Sequence, residues 1–429
     1  MRDETIAIHG GYEADGTRAV AVPIYQTVAH DFVDAEHAGA VFDLEVPGFH
    51  YNRINNPTNA VLERRLADLE GGTAALLVSS GMAAVTYSIL TLAEAGGNIV
   101  VAPQLYGANY TLLAHVLPRY GIEGRLATDD RADSLASLID DHTAAVFCES
   151  VGNPAGNVVD LEAVATMAHR QGVPLIVDNT VPTPLMLKPI AHGADVVVHS
   201  LTKFVGGHGT TLGGAIIDAG SFPWCDHPER FAMFNRPEPA FHDVVFGRDF
   251  PDQAFAVRAR SVPLRNTGAT LSPFSAFLLL QGLETMAVRL ERHEANARAV
   301  AAWLAADRRV EWVGFSGFPD HPYYELSQRY LGGRVPSVLT FGPVGGAAAA
   351  LAVFDSVKLF KRLVNLGDAK SLVSHPASTT HRQLRPNELQ AAGIPPEMVR
   401  LSVGLEHIDD LIEDLDQALE TATADKLRR

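Results

Sequence analysis

From residue 57 onward the apolar positions of the chain follow two alternating rhythms. Leu62, Leu66 and Leu69 recur at i, i+4 and i+7 behind Pro57 and Thr58, which predicts a helix closed by Gly71-Gly72. AALLVSS (74–80) reads as a buried strand, and MAAVTYSILTLAEA (82–95) as a helix stopped by Gly96-Gly97. The alternation continues with a strand at NIVVAP (98–103), a helix at NYTLLAHVL (109–117), a short strand at GRLAT (124–128) and a helix at ADSLASLID (132–140). Further strands are predicted at AAVFCES (144–150), PLIVDN (174–179), ADVVVHS (194–200) and GGAIID (213–218), with a helix at DLEAVATMAHRQG (160–172). Short apolar strands separated by helices imply an α/β fold with a mostly parallel sheet covered on both faces.

The flanking regions follow neither rhythm. Residues 1–56 are expected to form an arm of extended and loop segments. Residues 219–262 are rich in Pro, Phe and charge, and are expected to be an ordered excursion, because a disordered linker would hold fewer aromatic residues. A long helix (273–306) leads into a second region with strands at PSVLTFG (336–342), KSLVSH (370–375) and VRLSVGL (399–405), closed by an amphipathic helix at 407–425. The expected division is an arm (1–56), a large domain (57–262) and a smaller C-terminal α+β domain (263–429).

Composition narrows the partners. Hydrophobic residues make up 47% of the 429 and charged residues 20%, enough for a large core. The net charge of −16 repels nucleic-acid phosphates and anionic lipid, so any bound anion needs a local site. Cys148 and Cys225 make neither a disulfide framework nor a zinc set. The first residues carry no apolar leader. FSAFLLLQGLETMAVRL, the most apolar later stretch, is interrupted by Gln281 and Glu284 and is too short to span a bilayer. A soluble, cytoplasmic protein without membrane or nucleic-acid partners is expected.

Ligands of open parallel sheets sit beyond the carboxyl ends of the strands. Ser80-Gly81-Met82 joins a strand to a helix N-terminus, where free amides and the dipole suit a phosphate, although such a turn is more often an ordinary connection. The glycines of HSLTKFVGGHGTTLGG (199–214) are not a dinucleotide fingerprint, because Leu212 stands where the third glycine belongs. Asp178 ends a strand, where a carboxylate is costly without a cation or several donors; a structural hydrogen bond is the equally open reading. Lys203 follows a buried strand, and a desolvated lysine loses its proton readily and can form an imine. His199 and His208 flank it without metal-ligand spacing, and no metal site is expected. With Tyr106, Asn153, Ser200 and Thr202 at other strand ends, one ligand uses the whole set: pyridoxal 5′-phosphate. It needs an amine for its aldehyde, an acid for its pyridine nitrogen, a phosphate cradle and a stacking ring.

The runs YNRINNPT, SSGMAA, VDNT, VHSLTKFVGGHGTTLGG, SHPASTTH and VRLSVGLE resemble, in order and over nearly the whole chain, the Cys/Met-metabolism family of pyridoxal-phosphate enzymes. The resemblance implies a fold-type I transferase with a seven-stranded large-domain sheet. AVPIYQT, ESVGNPAGNVVDLEAVA and the added length at 219–262 are most similar to the branch that sulfhydrylates O-acetylhomoserine. That branch implies γ-replacement: O-acetyl-L-homoserine and sulfide give L-homocysteine and acetate, a direct route in methionine biosynthesis.

Roles carried by the resemblance follow residue by residue. Lys203 bears the cofactor and serves as the Cα base. Asp178 pairs with the pyridinium, and Tyr106 stacks on the ring and acts as an acid. Ser80, Gly81, Met82, Ser200 and Thr202 hold the phosphate, with Asn153 at the ring. Tyr51 and Arg53 reach a neighbouring subunit's site within a homotetramer, a dimer of dimers, with Tyr51 also near substrate. Arg400 grips the substrate carboxylate, supported by Ser371. Met82 departs from the sulfhydrylases, which commonly carry glutamine there; a methionine γ-lyase or a cystathionine γ-synthase-type enzyme is the alternative. An oxidoreductase on the same sheet is opposed by the broken glycine pattern, and a non-catalytic binding module by the convergence of reactive groups.

Overall fold

The computed structural model describes residues 1–382, 385, 389 and 392–424. Seven strands form the larger sheet: β1 (Ala74–Val78), β2 (Asn98–Val101), β3 (Glu123–Leu126), β4 (Thr143–Glu149), β5 (Leu175–Asp178), β6 (Val196–Ser200) and β7 (Gly214–Asp218), in the order β1-β7-β6-β5-β4-β2-β3. Strands β2 to β6 pair in parallel. β7 runs antiparallel between β1 and β6, because residues 201–213 carry no crossover helix and the chain must return on itself. Alternate residues of each central strand feed opposite cores. Ile99, Phe147, Ile176 and Val198 pack on one face. Val100, Val146, Val177 and Val197 pack on the other.

Helices α1 (Asp3–His9) and α2 (Ala35–Phe42) correct the expectation of an arm without regular elements. Each is too short to display two hydrophobic periods. The first is fastened to its own chain: buried Arg65 donates from Nε to the Gly10 carbonyl at 2.8 Å and from Nη1 to the Ala7 carbonyl at 3.1 Å. Helix α3 (Pro57–Glu70) opens with an Asn56 cap and Pro57 in its first turn, and closes on Gly71 at φ 79°. Helix α4 (Gly81–Leu92) is capped by Ser80, whose hydroxyl accepts from the Ala83 amide at 3.1 Å. Helix α5 (Leu161–Arg170) covers the opposite face.

The helix expected at 109–117 is irregular. One α turn (Gly107–Thr111) passes into a π turn (Leu112–Val116) and a 3₁₀ turn (Leu117–Tyr120), where Pro118 has no amide to donate. The excursion at 219–262 is ordered as expected, its Phe222, Trp224, Phe231, Phe234 and Phe246 joining the core on the sheet's α4 face. Trp224 stacks on Phe234 with ring centroids 4.4 Å apart.

The long helix expected from 273 is two: α6 (Pro273–Glu284) and α7 (Met286–Ala306), broken at Thr285. A second sheet follows, built from β8 (Val310–Gly314), β9 (Val338–Pro343), β10 (Lys361–Arg362), β11 (Leu372–Ser374) and β12 (Val399–Ser402) in the order β10-β11-β12-β9-β8. Helices α8 (Tyr324–Leu331) and α9 (Gly346–Ser356), like β8 and β10, have no counterpart in the sequence reading. The closing helix α10 runs Ile408–Ala424, and Asp425 of the expected helix lies outside the described residues. Val300, Phe341, Val353, Leu401 and Leu415 fill a separate core beneath this sheet. Among the described residues, no helix is long and apolar enough to cross a membrane.

Candidate active site

Three parallel strands end together in Glu149, Asp178 and Ser200, and the N-terminus of α4 opens beside them. From the smaller sheet come Arg400 of β12 and Asn365, in the turn between β10 and β11. These groups surround one cavity of about 190 Å³. Of the residues singled out in sequence, Ser80, Gly81, Met82, Tyr106 and Asn153 line it, as do Asp178, Ser200, Thr202, Lys203 and Arg400.

Lys203 sits in a turn just past β6, where its amide donates to the Ser200 carbonyl at 3.2 Å and its carbonyl accepts from Gly207 at 2.7 Å. The glycines after it have a packing reason. The loop wraps the buried Arg289 of α7, which donates from Nη1 to the Phe204 carbonyl at 2.8 Å and from Nη2 to the Val205 carbonyl at 3.2 Å and the Gly282 carbonyl at 2.6 Å. Gly207 lies at φ 69°, and a Cβ there would meet Arg289 Nη1 at 2.1 Å. Lys203 Nζ donates to Asn365 Oδ1 at 2.5 Å. Burial, and then the nearby Arg400, pull the amine down to a pKa of about 8, against the opposing pull of Asp178.

Asp178 accepts the Thr180 amide on Oδ1 at 3.0 Å, and burial raises its pKa. Its register partner on β4 is Glu149, pushed up to about 8 by burial and by the Asp178 charge. Glu149 Oε1 accepts from the Tyr106 amide at 2.6 Å and from Asn109 Nδ2 at 3.0 Å. Those bonds set Tyr106, half-exposed, at the mouth of the cavity. At the other end, the first-turn amides of α4 have no intrahelical acceptor. A Cβ on Gly81 would meet Ser200 Cβ at 2.6 Å, so only glycine lets the helix end approach β6 this closely. The Thr202 hydroxyl accepts the Gly213 amide at 3.1 Å, and the Ser200 amide donates to Thr180 Oγ1 at 2.8 Å.

Arg400 is buried. It donates from Nη1 to Asn153 Oδ1 at 2.8 Å and from Nη2 to the Asn365 carbonyl at 2.7 Å, while its Nε has no partner among the described residues. Burial draws its pKa down to about 10. The result is a fixed cation held by neutral groups, ready for an anionic ligand.

Three of the expected residues stand apart from the cavity. The Arg53 guanidinium lies over the Tyr51 ring at 5.2 Å and donates to the Arg265 carbonyl, in a surface recess formed with residues 265–268. Ser371 is fully buried; its hydroxyl donates to Glu406 Oε2 at 2.8 Å and accepts the Gly404 amide at 2.8 Å, so it does not face the cavity. Conversely, Glu149, Asn365, Asn109 and Thr180 line the cavity unannounced. Glu149 was legible as the carboxylate ending AAVFCES, one strand from Asp178. Asn365 lies in a turn whose sequence carries no period.

Comparison with known proteins agrees with this geometry. The family profile described as Cys/Met metabolism PLP-dependent enzyme matches residues 4–420. The chain is 46% identical to a homocysteine synthase of Schizosaccharomyces pombe over 98% of each chain. It is 47% identical to O-acetyl-L-homoserine sulfhydrylase 1 of Thermus thermophilus, covering 98% of this chain and 100% of that one. A Campylobacter jejuni crystal structure carrying N'-pyridoxyl-lysine-5'-monophosphate superposes with a TM-score of 0.94 at 42% identity, over 98% of this chain and 100% of that one.

Proposed function

The chain belongs to the Cys/Met metabolism family of PLP-dependent enzymes, and from that premise we propose that it joins O-acetyl-L-homoserine to sulfide, giving L-homocysteine and acetate. The single observation that carries this reading is the cavity itself, with a depressed amine, a buried carboxylate, a helix N-terminus and a half-paired buried arginine on one small space. The residues fit pyridoxal phosphate. Lys203 would hold the aldehyde, Asp178 the ring nitrogen, Tyr106 the ring face, and the Gly81 and Met82 amides with Ser80, Ser200 and Thr202 the phosphate. When bound there, the cofactor captures amines at its aldehyde and draws electrons away from Cα.

The rest is done by the chain. Arg400 holds the substrate carboxylate with its rigid fork, and the orphaned Nε is a third donor at that end. Fixing that end fixes the direction of the Cα–H bond. Lys203, with a pKa of about 8, has a neutral fraction near pH 7 to take the Cα proton. Tyr106 at the cavity mouth donates a proton toward the leaving ester oxygen. A Cβ proton leaves, the Cγ–O bond breaks and acetate departs with the electron pair; sulfur, arriving as HS⁻, forms the new bond at Cγ, and Cβ and Cα each take back a proton, the last from Lys203. The enzyme works as a cytoplasmic homotetramer, a dimer of dimers, with each subunit divided at 57–262 and 263–429. Tyr51 and Arg53 of one subunit complete the phosphate site of its neighbour. In support, both lie outside their own cavity, and Tyr51 is 41% exposed.

Purified enzyme given O-acetylhomoserine and sulfide is expected to release homocysteine and acetate, and Lys203→Ala to fall by at least about a thousandfold. Met82 in the cavity wall favours one second reading, a γ-lyase. Ammonia and 2-oxobutyrate from methionine alone, at comparable efficiency, would select that reading instead.

A further inference from the structure

One buried ionisable group at the site has no part in the chemistry above. Glu149 is 5% exposed and ends β4 in register with Asp178 at the end of β5. Paired positions on parallel strands project from the same face of the sheet, so two carboxylates stand side by side. Other titratable groups at this place are Lys203 beyond β6, Arg400 on β12, His199 within β6, Tyr106 at the cavity mouth and the buried thiol of Cys148, which burial keeps protonated. Two adjacent anions away from water repel strongly, and one of them keeps its proton. Asp178 has the Thr180 amide, and in the functional reading given above, on which this inference rests, it also meets a cationic ring nitrogen.

We propose that Glu149 is a positioning residue held as a neutral carboxylic acid: its Oε1 anchors Tyr106 and Asn109, and its missing charge leaves Asp178 the sole anion among the described residues at that end of the cavity. The amides of Tyr106 and Asn153 and the Asn109 side chain all favour the anionic form, but burial and the Asp178 charge outweigh them. The direction of the shift agrees with the geometry: Glu149 is pushed up to about 8. A neutral acid accepts the Tyr106 N–H as a carbonyl does. An anion there would compete with Asp178 for the same positive charge.

The test compares holoenzyme of wild type, Glu149→Gln and Glu149→Ala. The wild-type minus E149Q infrared difference spectrum at pH 7 is expected to show the carbonyl stretch of a protonated carboxylic acid, fading on alkaline titration as the acid gives up its proton. Absence of that band in wild type overturns the proposal, and so does its persistence in E149Q, which would place the proton on Asp178. Kinetically, E149A takes away the acceptor shared by the Tyr106 amide and Asn109 Nδ2 and is expected to lower kcat/KM by about tenfold or more. E149Q keeps a neutral acceptor and recovers most of that loss. Equal loss in both variants means that the charge is needed, and the proposal falls. Failure of wild type to turn over O-acetylhomoserine would count against the proposed reaction alone, since the infrared band is read without turnover.

Discussion

An exposed lysine titrates near ~10.4 and is almost wholly protonated at neutral pH. Lys203 is drawn down to about 8, and the sign of the consequence for stability can be worked out. Between the folded and unfolded values the unfolded chain binds the extra proton, so stability rises with pH across that window. In cofactor-free protein Lys203 is therefore expected to add stability from about pH 8 to pH 10, by something on the order of 2 kcal/mol in denaturant titrations. Lys203→Met should flatten that rise; an unchanged slope would place the titration elsewhere. Arg400→Ala is expected to raise KM by about tenfold to a hundredfold, since a charge-assisted bond is worth about 1.5–3 kcal/mol. Arg400→Lys should not rescue it, having no fork to replace the paired donors. Asp178 was legible because it ends an apolar run, and Lys203 because it follows one. Asn365, which accepts from Lys203 through its side chain and from Arg400 through its backbone, was not. Its position depends on a turn that only the smaller sheet defines.

At the scale of elements, the strands of the larger sheet were plain because burial on both faces writes a continuous apolar run. β8 is only half-buried, and α9 is an alanine-rich helix without a polar stripe, so neither leaves a strong pattern. The break between α6 and α7 has a tertiary cause that periodicity does not carry. Gly282 packs against the lysine loop, where a Cβ would meet the Gly206 carbonyl at 2.5 Å, and its own carbonyl is taken by Arg289. The contact between α4 and β6 gives a prediction of its own. Gly81→Ala must push the helix end away from Ser200 and move the phosphate amides with it. A cofactor dissociation constant raised by about tenfold or more is the expected outcome in equilibrium dialysis, consistent with the loss of one or two good hydrogen bonds. Unchanged affinity would mean that α4 does not hold the phosphate.

Across the whole molecule, the cavity is assembled from parts that no single stretch contains: strand ends of the larger sheet, Arg400 and Asn365 of the smaller one and, in the proposed assembly, Tyr51 and Arg53 of a neighbour. Co-expressed Arg53→Ala and Lys203→Ala chains discriminate that assembly from a self-contained subunit. Each variant alone is expected to be nearly inactive. A symmetric two-chain arrangement should restore about a quarter of wild-type activity, because half the dimers are mixed and each mixed dimer has one intact site. No recovery would mean that Arg53 serves its own chain. The arm's helices and the recess at residues 265–268 were invisible in the sequence, since short helices and a surface loop leave no period to read.

The guanidinium of Arg289, clasped by backbone oxygens of the lysine loop and of α6, links two stretches of chain some eighty residues apart into a single heritable unit. An engineer who transplants the loop into another scaffold, or randomises it to widen the substrate range, must carry the distant arginine along. Without it the glycines would enclose an empty space, and the amine they present would lose its fixed address.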